Sequence, residues 1–131
     1  MKGGYIHLNS DLMFHPELLT KLLTQDSNAL IVDHKPTADE IMVEGKIVQG
    51  SISRMGLQIE NPNCIIVGPI YFSEKGAFEI INELDNEINS GNIGNTCYVF
   101  FDKILNNVNC KPIFSKGLFW KEIDTLTDLE S

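Results

Sequence analysis

The run "NALIVD", Asn28 to Asp33, constrains this chain more than any other stretch. Its apolar residues follow one another without a polar position to face solvent, and an acid closes the run. That is the mark of a strand buried on both faces, which needs cover above and below the sheet. The preceding sequence supplies a helix. "HPELLTKLLTQ" has Pro16 suited to a first helical position, and Leu18, Leu19, Leu22 and Leu23 fall on one helical face. Before it, "YIHLNS" (Tyr5 to Ser10) reads as a short strand that ends in a polar turn. Strand, helix, strand argues for an α/β layer with parallel neighbours.

The middle of the chain changes character. "IMVEGKIVQGSISRM" holds two extended runs, and Glu44-Gly45 is the expected join of a hairpin. "NPNCIIVGPIYFS" reads as a turn and then a strand, with Gly68-Pro69 marking a bulge, a bend or a close backbone approach. "SEKGAFEIINELDNEINSG" is the clearest helix: Ser73 is its N-cap, and Ala77, Ile80, Ile81, Leu84 and Ile88 are its expected buried stripe. Gly91 stops it. "TCYVFFDKILNNV" is a second helix with Phe101, Ile104, Leu105 and Val108 spaced for burial, although its aromatic and β-branched content also suits a strand. "KPIFS" and "FWKEID" read as short strands, and Thr125 with Asp128 has the spacing of a capping box opening a last helix. No repeat or linker interrupts residues 1–131, so a single domain is expected.

Composition excludes several classes. Hydrophobic residues make up 43% and charged residues 21%, which fits a globular domain and not a disordered one. No apolar run is long enough for a membrane span, and the first residues lack the features of a signal peptide. Acids outnumber bases 18 to 10, a net charge of −8 without a basic cluster. Nucleic acid is therefore not an expected partner. An anionic small substrate would need a cation to bridge it to the protein. Cys64, Cys97 and Cys110 are odd in number and widely spaced, and read as reduced, structural thiols of a cytoplasmic protein.

Two acids share one local setting. Asp11 follows the strand "YIHLNS", and Asp124 ends the strand "WKEI". Ligands of open α/β sheets gather beyond the carboxyl ends of strands, and two carboxylates there suit Mg²⁺, which completes its shell with water and phosphate oxygens. Each Asp taken singly is better read as a turn former or helix cap than as a metal ligand. His7, His15 and His34 share no metal-ligand spacing and read as strand or turn residues. "GNIGN" (Gly91 to Asn95) follows no strand and reads as a loop.

Five segments in order, "LNSDLMFHPELLTKLL", "NALIVDHK", "DEIMVEGKIVQGSISRM", "IVGPIYFSEKGAFEII" and "WKEIDTLTDLE", resemble the C-terminal part of a nucleotidyltransferase. The family includes sugar-phosphate and phosphocholine cytidylyltransferases and domains found beside phosphoenolpyruvate mutase. The resemblance implies a GT-A-like (Rossmann-like) α/β fold with a mixed sheet and flanking helices. It implies Mg²⁺-dependent transfer of a nucleotidyl group from a nucleoside triphosphate to a phosphorylated or phosphonate acceptor, with pyrophosphate released. The family's two metal-binding aspartates match Asp11 and Asp124. Arg54 stands where relatives often carry a lysine and would contact phosphate, Gly68 falls in the stretch lining the acceptor pocket, and Trp120 and Glu122 would line the same pocket. The family's glycine-rich loop, with its arginine and later lysine, has no counterpart in residues 1–131. The resemblance therefore implies the acceptor-and-metal portion only, inactive alone, with a sheet edge to be covered by a second copy or a partner chain. The alternative is a non-catalytic remnant serving as a binding or assembly module.

Overall fold

The structure, a computed structural model, describes residues 4–8, 12–25, 27–34, 43–57, 59–91, 97–105 and 107–122, with backbone alone at 97–99 and 122. The elements in chain order are β1 (Tyr5–His7), β2 (Leu12–Phe14), α1 (Pro16–Leu23), β3 (Ala29–Asp33), β4 (Glu44–Val48) and β5 (Ser51–Gly56). There follow β6 (Cys64–Phe72), α2 (Glu74–Asn89), α3 (Cys97–Ile104), β7 (Lys111–Phe114) and β8 (Trp120–Glu122). One mixed sheet runs β5-β4-β6-β3-β7, with β1 paired to β6, and β2 and β8 form a separate two-stranded ribbon.

β3 is the buried strand that the apolar run demands. Its residues alternate between two cores. Leu30 and Val32 join Ile80 of α2 and Phe101 and Ile104 of α3 on one face. Ala29 and Ile31 join Leu18 and Leu22 of α1 on the other. Successive side chains of a strand point to opposite faces, so an uninterrupted apolar run fills both layers. The expectation of parallel neighbours holds in part: β3 is parallel to β7 but antiparallel to β6. β1 and β3 do not touch as a pair, because β6 lies between them and both run against it.

Gly68 sits inside β6, with φ 137°, which no side chain tolerates well. On β3, Leu30 and Val32 are two residues apart, but their partners Ile70 and Ile66 are four apart. The extra residues form a bulge at Gly68-Pro69. Below it, Cys64 and Ile65 pair with β4; above it, Ile70 to Phe72 pair with β1. The strand thus changes partners at the bulge without losing its own burial.

Two expectations need correction. The β4–β5 hairpin turns at Gln49-Gly50, with φ 52° and 79°, and not at Glu44-Gly45, which lies inside β4. Two successive positive φ values suit the two-residue turn whose twist matches that of the strands. In α2, Ala77 and Ile80 are buried, but Ile81, Leu84 and Ile88 are exposed at 56%, 47% and 54%. Phe78, at 63%, extends that exposed stripe. The helix meets the sheet on a narrower face than its apolar arc, and buries Gly76 and Glu87 there as well.

Other expectations are met. Pro16 opens α1, and Leu18 and Leu22 are fully buried. His15 caps that helix, its Nδ1 accepting from Glu17 N at 3.1 Å. Ser73 Oγ caps α2 by accepting from Gly76 N at 3.2 Å. α3 is a helix, and Phe101, Ile104, Leu105 and Val108 are buried. Cys64 and Cys110 are free, buried thiols, and burial pushes their pKa values up to about 11 and about 12. The capping box at Thr125 and Asp128 lies outside the described residues. Among the described residues, no helix is long and apolar enough to cross a membrane.

Candidate functional site

β1 and β3 both oppose β6, and β7 follows β3, so the carboxyl ends of β1, β3 and β7 lie at one end of the sheet. The β2–β8 ribbon is fastened to that end. Trp120 Nε1 donates to Asp33 Oδ2 at 2.7 Å, and His15 N donates to Phe119 O at 2.7 Å. Leu12, Phe14 and Trp120 turn inward against the α1 core, while Met13 is 51% exposed. Alternation along both strands thus gives the ribbon one anchored face and one free face.

Within the ribbon, Phe14 pairs with Trp120, Met13 with Lys121 and Leu12 with Glu122. The last pair joins two distant parts of the sequence. Asp11 precedes Leu12 by one residue, and Asp124 follows Glu122 by two. Both aspartates lie outside the described residues, as does the side chain of Glu122.

The structure distributes the remaining candidates. The indole N–H of Trp120 is committed to Asp33 and its ring to the core. Gly68 is buried in the bulge of β6. Arg54 lies on β5, whose Ile52 N donates to Cys110 O at 2.9 Å beside the start of β7. Arg54 Nε donates to Asp102 Oδ1 at 3.0 Å, and that oxygen also accepts from Met55 N at 2.9 Å. The carboxylate of Asp102 raises the pKa of the guanidinium further above its usual value. Arg54 is thus paired with Asp102 of α3, and Trp120 with Asp33 of β3.

Asp33 was not singled out by sequence, yet it holds the site end of the sheet. Its Oδ1 accepts from His34 N at 2.7 Å and its Oδ2 from Trp120. Partial burial works to raise its pKa, but the hydrogen bonds from Trp120 and the His34 backbone, with the nearby Ser115 hydroxyl and His34 ring, outweigh it and lower the value. Ser115 is fully buried, and its hydroxyl assists Asp33 from nearby without completing a well-formed hydrogen bond. His34 in turn stacks on Phe114, with ring centroids 4.8 Å apart. The signal was available: in the sequence Asp33 closes "NALIV" just as Asp124 closes "WKEI". Among the described residues, no group of three or more His, Cys, Asp or Glu side chains could hold a metal.

This arrangement, an open mixed sheet between helices with a ribbon fastened at its strand ends, matches the fold of about half of several solved nucleotidyltransferases. An inositol-1-phosphate CTP transferase from T. maritima matches all of this chain with a TM-score of 0.76 at 19% identity, and 53% of that protein is covered. A CTP:phosphocholine cytidylyltransferase from Streptococcus pneumoniae matches 95% of the chain at 13% identity, TM-score 0.69, with 54% of it covered. A glucose-1-phosphate thymidylyltransferase from Bacillus anthracis matches 98% at 13% identity, TM-score 0.66, with 52% covered. The chain thus spans about half the length of these structures. No protein-family profile matches the sequence, and no curated protein matches it.

Proposed function

We propose that this chain is the acceptor-and-metal portion of a nucleotidyltransferase. The observation that carries the reading is the Leu12–Glu122 pair, which links the chain beside Asp11 to the chain beside Asp124. The shared fold supports it. Asp11 and Asp124 are the proposed Mg²⁺ ligands. Their donor set fits: two carboxylates supply part of a shell that water and phosphate oxygens complete. When bound, the ion would neutralise charge developing on the phosphoryl oxygens.

The chain's own residues do the rest. Asp33, through Trp120, holds the ribbon in place against the sheet, so that the strand after Asp11 and the strand before Asp124 belong to one anchored unit. Glu122 would border the acceptor, Trp120 would serve by anchoring the ribbon, and the bulge at Gly68 would shape the sheet beneath. The acceptor's phosphate or phosphonate oxygen attacks the α-phosphorus of the nucleoside triphosphate in line, and pyrophosphate leaves. That oxygen is already ionised at neutral pH, so no side chain need remove a proton, and no catalytic His or Cys is required. The nucleotide would be held mainly by a glycine-rich segment outside residues 1–131.

The test is pyrophosphate release from a panel of nucleoside triphosphates and phosphorylated acceptors, with Mg²⁺ and a nucleotide-binding half supplied in trans. The reading expects turnover that Asp11→Asn or Asp124→Asn abolishes. Absence of turnover across the panel by the folded, reconstituted protein would sink it and favour a non-catalytic module.

A further inference from the structure

A second feature lies along the outer edge of β7 and reaches toward the ribbon at its Lys116 end. There a cleft of about 440 Å³ runs between the C-terminal turn of α1 and the edge strand, within the size range of small-molecule sites. Lys21, Lys111 and Lys116 line it, and Pro112, Ile113 and Phe114 form its apolar floor. The chain has only 10 basic residues against 18 acids, yet three of the basic ones meet here. No acid is among the described lining residues. Elsewhere Arg54 pairs with Asp102 and Lys103 with Glu87. Among the described residues, none of the three cleft lysines has a carboxylate within ion-pairing distance.

We propose that this cleft binds a small soluble organic phosphate carrying two phosphoryl groups on a carbon frame. The charges sit at its two ends. Lys111 opens β7, where its N–H donates to Asn28 O at the start of β3, and α1 leads into that same point. Lys21, in the last turn of α1, belongs to this end. Lys116 follows the last residue of β7 and belongs to the other end. Extended chain from Lys111 to Phe114, roughly 10 Å, and the turn that follows it separate Lys111 from Lys116, and the apolar floor lies between.

A helix C-terminus would ordinarily repel an anion, because its last carbonyls carry partial negative charge. Here three of those carbonyls accept internal hydrogen bonds. Thr20 O accepts from Thr24 N and Leu22 O from Gln25 N. Lys21 O accepts from both Thr24 Oγ1 at 2.9 Å and Gln25 Nε2 at 3.3 Å. The wall presented to a ligand is thereby left with the Lys21 ammonium as its charge. The strand edge is equally unsuited to pairing with a peptide. Lys111 N and Ser115 N point toward β3, so the alternate positions face outward, and Pro112 there has no N–H to give. Edge protection explains a lysine or proline at such a strand. It does not explain a third lysine contributed by the helix across the cleft.

This proposal is independent of the metal site, and its test is run without metal. In EDTA, the backbone amides of the whole chain are followed by NMR as fructose 1,6-bisphosphate is added. Saturable shifts are expected at Thr24, Gln25, Lys111, Phe114 and Lys116. Lys111→Gln and Lys116→Gln should each weaken binding roughly tenfold, the size of one lost charge-assisted hydrogen bond. Lys75→Gln, on the far face of α2, should leave it unchanged. Inorganic phosphate alone should bind more weakly by a similar factor. If an edge-strand variant does not fold, Lys21→Gln on the helix reads the same loss. Shifts that do not saturate, shifts confined to the ribbon, or affinity unchanged by the cleft lysine substitutions would overturn the proposal; equal affinity for inorganic phosphate would overturn its two-ended form.

Discussion

Asp33 carries hydrogen bonds on both of its carboxylate oxygens, and one of them fixes the chain's single tryptophan. That makes the contact directly observable. The folded protein holds the Asp33 pKa below the ordinary value of 3.8. For a lowered carboxylate, the stabilisation is present above the unfolded pKa and is lost as pH falls through the folded one. Acid titration followed by Trp120 fluorescence should therefore show a transition below pH 3.8, which Asp33→Asn removes. The same substitution should cost about 1 kcal/mol at neutral pH, since a hydrogen bond to a partly solvated charge is worth less than a buried one. An unchanged fluorescence titration would show that Trp120 is held by packing alone. Sequence made Asp33 visible as the end of a buried strand, but its partner lies 87 residues away, and no local pattern reports such a contact.

At the scale of elements, Asn28 shows why some of the structure was illegible. Its Oδ1 accepts from Ser73 N and Ser73 Oγ, its Nδ2 donates to Asn109 O, and its own carbonyl takes Lys111 N. One residue before β3 thus joins the N-terminus of α2 to the start of β7. A Cβ on Gly76 would collide with Asn28 Oδ1. Gly76→Ala should therefore destabilise by about 1–3 kcal/mol in chemical denaturation, despite alanine's better helix propensity. The face of α2 is tested by two neighbouring isoleucines. Ile80→Ala should cost about 2–4 kcal/mol, and Ile81→Ala within about 0.5 kcal/mol, since one is 6% exposed and the other 56%. Periodicity identified this helix and its cap, because both are local. It could not say how much of the apolar arc the sheet would cover. The hairpin shows the same limit: two extended runs were legible, but the turn fell at Gln49-Gly50, where backbone conformation decides. Gln49→Asn should raise the melting temperature by a few degrees, because asparagine accepts positive φ more readily.

At the scale of the whole molecule, the sheet and its two cores followed from a buried run and its flanking helices. The nucleotidyltransferase fold followed from the order of five segments and is matched by structures that share under a fifth of the sequence. The site was legible only as a pair of strand-end aspartates far apart in the chain. The ribbon hydrogen-bonds the strand that follows Asp11 in the chain to the strand that precedes Asp124, and the proposed site rests on that link. The lysine cleft was not legible at all, because its cations come from a helix and from both ends of an edge strand. The central claim concerns Asp11 and Asp124, and Mn²⁺ titration of the folded chain by electron paramagnetic resonance tests it most directly. The account predicts one bound Mn²⁺ that Mg²⁺ displaces, weakened roughly tenfold or more by Asp11→Asn and by Asp124→Asn, and left in place by Lys116→Gln. Binding that survives both aspartate substitutions, or a folded chain that takes up no Mn²⁺, would contradict it.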